Sequence, residues 1–574
     1  MDWLQRQIYP LTYWGASGTI HTNFHVHVEG QENVAPTGAL FFTHSGMVMD
    51  PGILIATTPH RRQNHYWAKD SIWKSKLMGF IFDGLGAVPV TRNAKSRSLT
   101  PDPGNSLRRD TTALADSPCP SPDREPRTRT TTAASDVSTA STSASTNAKL
   151  WEATTKMLES GELVGVFPEG TSYTLPHFIQ FKDGLAKSAI EYAKTAQKAG
   201  RPSASIVPVG INYLDKDLWR SSVAVIYGPP VSVDGFVGRP VADLTQYIQD
   251  RVADATVNAP DWDTWHAAQI ARKVLFPAAV FDIVPRYVPV MQAYVATLLI
   301  TLFADVGNHP AVGPVKSAAL AYHASLKRHG VLDRAVYLIG THDVAQIGAK
   351  ALYHAVQLAI TSFLALPGGL VYGAIFLMTD MHNKKEPYTE CHAQTKGLAT
   401  LTLVPLIHFG MTLLALIAFG PVGALTTEVG LIAVSIVFHY VVDWCIESAQ
   451  ILHDLAVLAV LVGQDEARAL ARDRNTLHAA LMEAIKTVAT PDLDVDALPY
   501  GPFRQEQSAP SDLPKGAPTF PEPSHPEWTR PSAEVVRRRL RDLDAWMHAK
   551  RGVEGGVPRR PAVRWRAWPV REAV

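Results

Sequence analysis

The sequence predicts an α/β domain followed by a helical membrane region, and three observations carry that reading. Short strand-like runs bounded by turn residues recur at 26–30, 39–43, 164–167 and 205–209, and helical stretches follow several of them; such alternation is the pattern of an α/β sheet. No Asp, Glu, Lys or Arg occurs between Lys350 and Asp380, nor between Lys396 and Glu428, and each gap exceeds the ~20 apolar residues needed to cross a bilayer. The chain of 574 residues is 46% hydrophobic and 19% charged, which allows several domains and leans apolar for a soluble protein.

In chain order, Met1–Tyr13 is polar with scattered aromatics and lacks a charged n-region followed by an apolar h-region, so targeting is expected from internal spans. The strand at Ala39–Thr43 delivers His44 to a loop. Asp50 stands at the N-cap of a helix opened by Pro51 and Gly52 and continuing through Ile53–Ala56, with the proline in its first turn. From Asn93 the pattern stops in a run of Ser, Thr, Pro, Asp and Arg, typified by Ser138–Thr146. Such a composition buries too little apolar area to offset its ordering entropy. Residues 93–148 are therefore expected to be a disordered insertion dividing the α/β domain into 1–92 and 149–260.

Beyond it we expect a helical connection at 261–350, a membrane region at 351–442, an amphipathic helical region at 443–500 containing the helix Glu466–Val488, and a Pro-rich, basic tail at 501–574. The spans contain Pro367, Pro405 and Gly420–Pro421, kinks that lipid tolerates when neighbouring helices satisfy the freed backbone. Val429–Val442 is short for a span and suits a re-entrant or interfacial segment. Two spans, with this run as a third candidate, are the expectation. In the tail, Ser532 caps an expected helix through Lys550 whose arginines and Trp546 fit either an anionic membrane surface or a solvated, charge-balanced face.

Several function classes are excluded or unsupported. A net charge of +1 gives no global field for nucleic acid. Cys119, Cys391 and Cys445 lack C-x-x-C spacing, and His21, His25 and His27 have no carboxylate or cysteine at ligand spacing, so no disulfide framework or metal site is expected. The chain has no G-x-S-x-G elbow and no G-x-x-x-x-G-K-[ST] loop. No resident cofactor is expected.

Four blocks carry chemistry: Thr43–Pro51 with His44 and Asp50, Gly86–Arg92, Val166–Ser172, and Ile206–Tyr213. An acyl group passes from a thioester to an alcohol when the attacking hydroxyl loses its proton, and an imidazole titrating near neutrality suits that task. His44 is the expected base, with Asp50 fixing its tautomer and stabilising the imidazolium. In Phe167–Ser172, Gly170 permits close backbone approach, while Thr171 and Ser172 can donate hydrogen bonds to a phosphate or an oxyanion. Glu169 can bind acceptor hydroxyls or order a basic side chain. Arg92, at the end of the Val88–Val90 strand, offers a planar fork for phosphate.

These blocks, in this order, resemble the glycerolipid acyltransferase superfamily, and Asn212–Pro230 looks most like its fungal branch, which acylates glycerol-3-phosphate or dihydroxyacetone phosphate and carries two hydrophobic spans after the catalytic domain. The resemblance implies acyl-CoA as co-substrate, a phosphate-bearing glycerol acceptor, and residence in the endoplasmic-reticulum membrane as a multi-pass protein with a cytosolic catalytic domain. It implies an acceptor site lined by Glu169 and Gly170, a phosphate role for Lys182 in Phe181–Gly184, and a structural role for Pro208 beside the donor pocket. Lysophosphatidate is the rival acceptor. In one respect the chain departs from the pattern: five residues, Ser45–Met49, separate His44 from Asp50, where the superfamily has four. A loop absorbs such an insertion, whereas in a regular helix it rotates Asp50 by ~100°. The departure motivates a second expectation of another class, a non-catalytic lipid-binding membrane scaffold.

Overall fold

The computed structural model describes residues 3–43, 49–74, 76, 79, 82–83, 86–90, 150–169, 175–177, 179–214, 220–276, 288–384, 389–490 and 536–544. The expected insertion at 93–148 lies outside them. The first half begins with helix α1 (Trp3–Asn23), β1 (Phe24–Glu29), β2 (Ala39–Thr43), α2 (Asp50–Thr57), β3 (Asn64–Lys69) and β4 (Ala87–Val90). A helix at 150–159, α3, then leads into β5 (Leu163–Val166). There follow α4 (Gly184–Lys198), β6 (Ser205–Tyr213), β7 (Ser221–Tyr227), β8 (Val231–Ser232) and α5 (Val241–Ala255).

The eight strands form one sheet in the order β1-β7-β6-β2-β5-β3-β4, with β8 also pairing β6. Neighbours among β6, β2, β5, β3 and β4 run parallel, and β6 pairs antiparallel with β7. Parallel strands need both faces covered, and β2 obeys the rule: all five residues are buried. Its side chains alternate between faces. Ala39 and Phe41 join Ile20 of α1 and Ile53 and Leu54 of α2. Leu40 and Phe42 join Leu185 and Ile190 of α4 and Leu244 and Ile248 of α5. Helix α5 lies so close to β6 that a Cβ at Gly210 would stand 1.9 Å from the Ala255 carbonyl oxygen, so any side chain there would lift the helix away.

The second half is helical: α6 (Trp262–Leu275), α7 (Val288–Asp305), α8 (Gly313–His329), α9 (Asp333–Thr341), α10 (Val344–Asn383), α11 (Thr389–Ala456) and α12 (Gln464–Val488), with a last helix, α13, at 536–544. Helices α6 to α9 and α12 share one core, centred on a buried ion pair in which Arg474 Nε and Nη2 donate to the two Asp333 carboxylate oxygens at 2.9 and 3.1 Å. Tyr322 and the Val274 carbonyl complete its hydrogen bonding.

Two helices, Val344–Asn383 and Thr395–Val462, are long and apolar enough to cross a membrane, and 28% and 6% of their apolar windows are buried. Phe363, Leu370, Ile417 and Phe419 are each more than three-quarters exposed or close to it. Helix α11 is interrupted at Gly420, where φ is 72° and ψ −169°. His408 Nδ1 and Glu428 Oε1 meet at 2.9 Å across a sequence separation of 20 residues. An unbroken helix would hold them ~30 Å apart, so the chain doubles back at Gly420–Pro421. The network extends through Tyr372 of α10, whose hydroxyl meets His408 Nε2 at 2.8 Å and Ser435 Oγ at 2.5 Å, while Thr412 donates to Glu428 at 2.8 Å.

Two sequence expectations are corrected here. Val429–Val442 is not a separate short segment but the middle of the returning part of α11. The tail helix, seen at 536–544, turns its apolar side to the protein core, and the rest of the expected helix, with Trp546, lies outside the described residues. It buries Val536, Leu540 and Leu543 in the helical core, and Arg539 donates to Thr301 at 3.0 Å and pairs with Asp254 at 3.5 Å.

Candidate active site

Strands β2, β5, β3 and β4 are parallel, so their C-terminal ends share one edge of the sheet, where α/β folds bind ligands. Strand β2 ends at the buried Thr43, and α2 starts at Asp50. The expected N-cap assignment is corrected by one position: Met49 is the N-cap and Asp50 is the first helical residue. That placement sets a carboxylate in the first turn, where the helix dipole favours negative charge. Pro51 follows with no interior N–H to lose.

Asp50 is fully buried. Its Oδ1 accepts a hydrogen bond from the Tyr213 hydroxyl at 2.5 Å. Tyr213 is the last residue of β6, the strand beside β2. Burial first, and then the Asp50 carboxylate, hold the Tyr213 phenol well above its ordinary range, so it donates as a neutral hydroxyl throughout the physiological range. A charged carboxylate at such depth needs donors of this kind. His44 lies outside the described residues, between Thr43 and Met49 in sequence.

On the neighbouring strand, Phe42 is in register with Val166, so the turn after β5 emerges beside the end of β2. That turn buries Glu169 completely. The Lys182 backbone N–H donates to the Pro168 carbonyl at 3.1 Å, which brings Lys182, exposed just before α4, alongside the Glu169 turn. Asp50, Glu169 and Lys182 thus come to one edge. Gly170, Thr171 and Ser172 lie outside the described residues, as does Arg92, two positions after the end of β4.

Pro208 is buried inside β6, opposite Phe42. It stands where β6 changes partner, Ile206 pairing with β8 and Val209 with β7. A proline is tolerated there because the ladder on that side has a gap. Its carbonyl accepts from Gly228 N–H at 2.8 Å.

The Acyltransferase family model matches residues 25–212, from β1 to the penultimate residue of β6. Residues 25–212 are thus similar to the acyltransferase family. Similar curated proteins include glycerol-3-phosphate O-acyltransferase 2 of Saccharomyces cerevisiae, 24% identical over 47% of this chain and 38% of the relative. Another is glycerol-3-phosphate O-acyltransferase 1 of the same yeast, 22% identical over 42% of this chain and 32% of the relative. The chain therefore spans about two-fifths or less of the length of these relatives. Among solved structures, the 1-acyl-sn-glycerophosphate acyltransferase PlsC of Thermotoga maritima aligns at a TM-score of 0.28 and 16% identity, covering 44% of this chain and 77% of that one.

In the sheet, Tyr213 is the partner that sequence reasoning missed. It closes the fourth block, one residue past the matched segment, and its contact with Asp50 spans 163 residues. The available signal was a tyrosine ending a strand whose preceding eight residues, Ser205–Asn212, contain only small, apolar or amide side chains. Asn212 was also missed. It joins β6 to the end of α5, donating to the Ala255 carbonyl at 2.9 Å and accepting from Val257 N–H at 2.7 Å.

Proposed function

We propose that this protein is a membrane-bound O-acyltransferase that moves a fatty acyl group from acyl-CoA to glycerol-3-phosphate or dihydroxyacetone phosphate. The observation that carries the reading is the fully buried, hydrogen-bonded Asp50 at the start of α2, inside the segment that matches the family. A buried carboxylate closely following, in sequence, a histidine that comes right after a strand suits the orienting half of a His–Asp pair. The similarity to the two yeast glycerol-3-phosphate O-acyltransferases supports the acceptor class.

In this reaction His44 takes the proton from the acceptor hydroxyl as its oxygen attacks the thioester carbonyl. Asp50 holds the other ring nitrogen and stabilises the imidazolium. The tetrahedral intermediate then collapses, the carbon–sulfur bond breaks, and the imidazolium returns the proton to the departing CoA thiolate. Gly170, Thr171 and Ser172 supply donors to phosphate or oxyanion, Glu169 orders acceptor hydroxyls or a basic side chain, Arg92 and Lys182 hold the acceptor phosphate, and Pro208 shapes the strand beside the donor. The reaction uses acyl-CoA as co-substrate and no resident cofactor. The long, outward-facing apolar helices α10 and α11 support insertion in a bilayer, which we place in the endoplasmic reticulum with the catalytic domain cytosolic.

The deciding experiment incubates membranes carrying the full chain with labelled acyl-CoA and, separately, glycerol-3-phosphate, dihydroxyacetone phosphate and lysophosphatidate. Labelled product from either of the first two, lost in His44→Ala, supports the proposal. Preference for lysophosphatidate overturns the acceptor assignment, and no transfer to any acceptor favours the non-catalytic scaffold.

A further inference from the structure

An unbroken chain of contacts runs from helix α11 to the carboxylate of Asp50. Asp443 on α11 receives both Arg220 Nε and Nη2, at 2.5 and 2.8 Å. Arg220 is the residue before β7, held at a positive φ of 58°. Its Nη1 donates to the Thr22 carbonyl at 2.9 Å and its backbone N–H to the Asn23 carbonyl at 3.1 Å, gripping the end of α1. The next residue, Phe24, meets the Tyr213 ring edge-on with centroids 5.6 Å apart, and Tyr213 donates to Asp50. His25 Nε2 meets the Asp443 carboxylate at 3.2 Å and His439 Nδ1 meets Arg220 at 3.1 Å.

We infer that Tyr213 is a positioning residue for the acyl-transfer site, and that the Arg220–Asp443 pair makes its placement depend on the seating of α11. The inference rests on the proposed acyl transfer. A buried carboxylate at the mouth of a sheet has several rotamers, and a short hydrogen bond from a residue on a neighbouring strand selects one. The fork of Arg220 is suited to the tie because it satisfies the Asp443 carboxylate and the Thr22 carbonyl together. The catalytic half and the apolar half are thereby coupled through polar groups, not only through shape.

The test measures transfer kinetics of the full chain in membranes. Tyr213→Phe keeps the ring against Phe24 and removes only the hydroxyl. It should lower kcat by about 10- to 100-fold, the cost of a misplaced group, with both KM values within about twofold. Loss of the donor leaves Asp50 more basic and the imidazolium more stable, so the acidic limb of the pH–rate profile should move to higher pH. A purely structural role would lower the amount of folded enzyme without moving that limb. Asp443→Asn, far from the reacting atoms, should lower kcat roughly 3- to 30-fold and leave both KM values unchanged. If wild type is active and His44→Ala is not, yet both variants keep wild-type kcat and pH profile, this inference falls and the acyltransferase reading stands. A wild type inactive toward every acceptor overturns both. Should Tyr213→Phe unfold early, Asp443→Asn decides alone.

Discussion

Met49 lies against Gly397 so closely that a Cβ added to the glycine would stand 2.9 Å from the methionine Cε and 3.2 Å from its Sδ. Met49 is the N-cap of α2, immediately before Asp50, and Gly397 lies on α11. The residue just before the proposed catalytic carboxylate therefore rests directly on an apolar helix. The tolerance of this contact follows from the flexibility of the thioether. Gly397→Ala should retain most activity, because the end of the Met49 side chain swings aside. Gly397→Leu cannot be absorbed in that way and should lower kcat by at least about tenfold. Steady-state kinetics of the two variants, compared at equal membrane expression, check the distinction.

The ion pair between Asp333 and Arg474 sits in the helical core with both side chains under 5% exposed. Removing one partner leaves the other charge buried, which costs about 3–5 kcal/mol. Asp333→Ala should therefore lower the unfolding temperature sharply. Replacing both residues by apolar ones of similar volume should cost much less, since the desolvation penalty disappears with the charges. Thermal unfolding of the single and double variants in detergent measures the difference.

How much of this was legible in the sequence varies with the kind of information required. Strand β2 at Ala39–Thr43 and the helix after Asp50 were readable because each is written in consecutive residues. The partnership of Tyr213 with Asp50 was not, because it depends on β6 lying beside β2, and strand order is a long-range property. Glu428 misled the reading of the apolar region by ending an uncharged run, although the helix continues through it. His408 and Thr412 satisfy its carboxylate from the facing stretch, which a count of charges along one segment cannot register. In the tail, arginine and tryptophan content drew attention to a membrane surface. The spacing of Val536, Leu540 and Leu543, one helical stripe, already pointed to the core contact.

That stripe yields a stability prediction. Leu540 is 1% exposed within the helical core, and Leu→Ala at such a site costs about 2–5 kcal/mol. Leu540→Ala should destabilise the protein by that amount, whereas Arg541→Ala, at the exposed position of the helix, should change stability by less than about 0.5 kcal/mol. Limited proteolysis should show earlier cleavage in the first variant only.

The network of Tyr372, His408, Glu428 and Ser435 joins α10 to both parts of α11. Interhelical hydrogen bonds between apolar helices are worth about 0.6–2 kcal/mol each. Glu428→Ala, which removes the acceptor for both His408 and Thr412, should loosen the helices more than Tyr372→Phe. Combining the two should cost less than the sum of the single effects, because both substitutions act on His408. A double-mutant cycle in thermal unfolding tests the coupling.

The last prediction separates the two substrate half-sites. Lys182 is brought beside the Pro168–Glu169 turn by its backbone hydrogen bond to Pro168, and Arg92 comes two positions after the end of β4 in sequence. If both hold the acceptor phosphate, neutral substitutions at either position should raise the acceptor KM far more than the acyl-CoA KM, since a lost charge-assisted contact weakens binding on one side only. Arg92→Lys should recover only part of the loss at that position: lysine restores the charge but not the bidentate fork, so the residual defect measures geometry apart from electrostatics. A rise in the acyl-CoA KM with the acceptor KM unchanged would turn the two residues toward the CoA phosphates and reverse the half-sites.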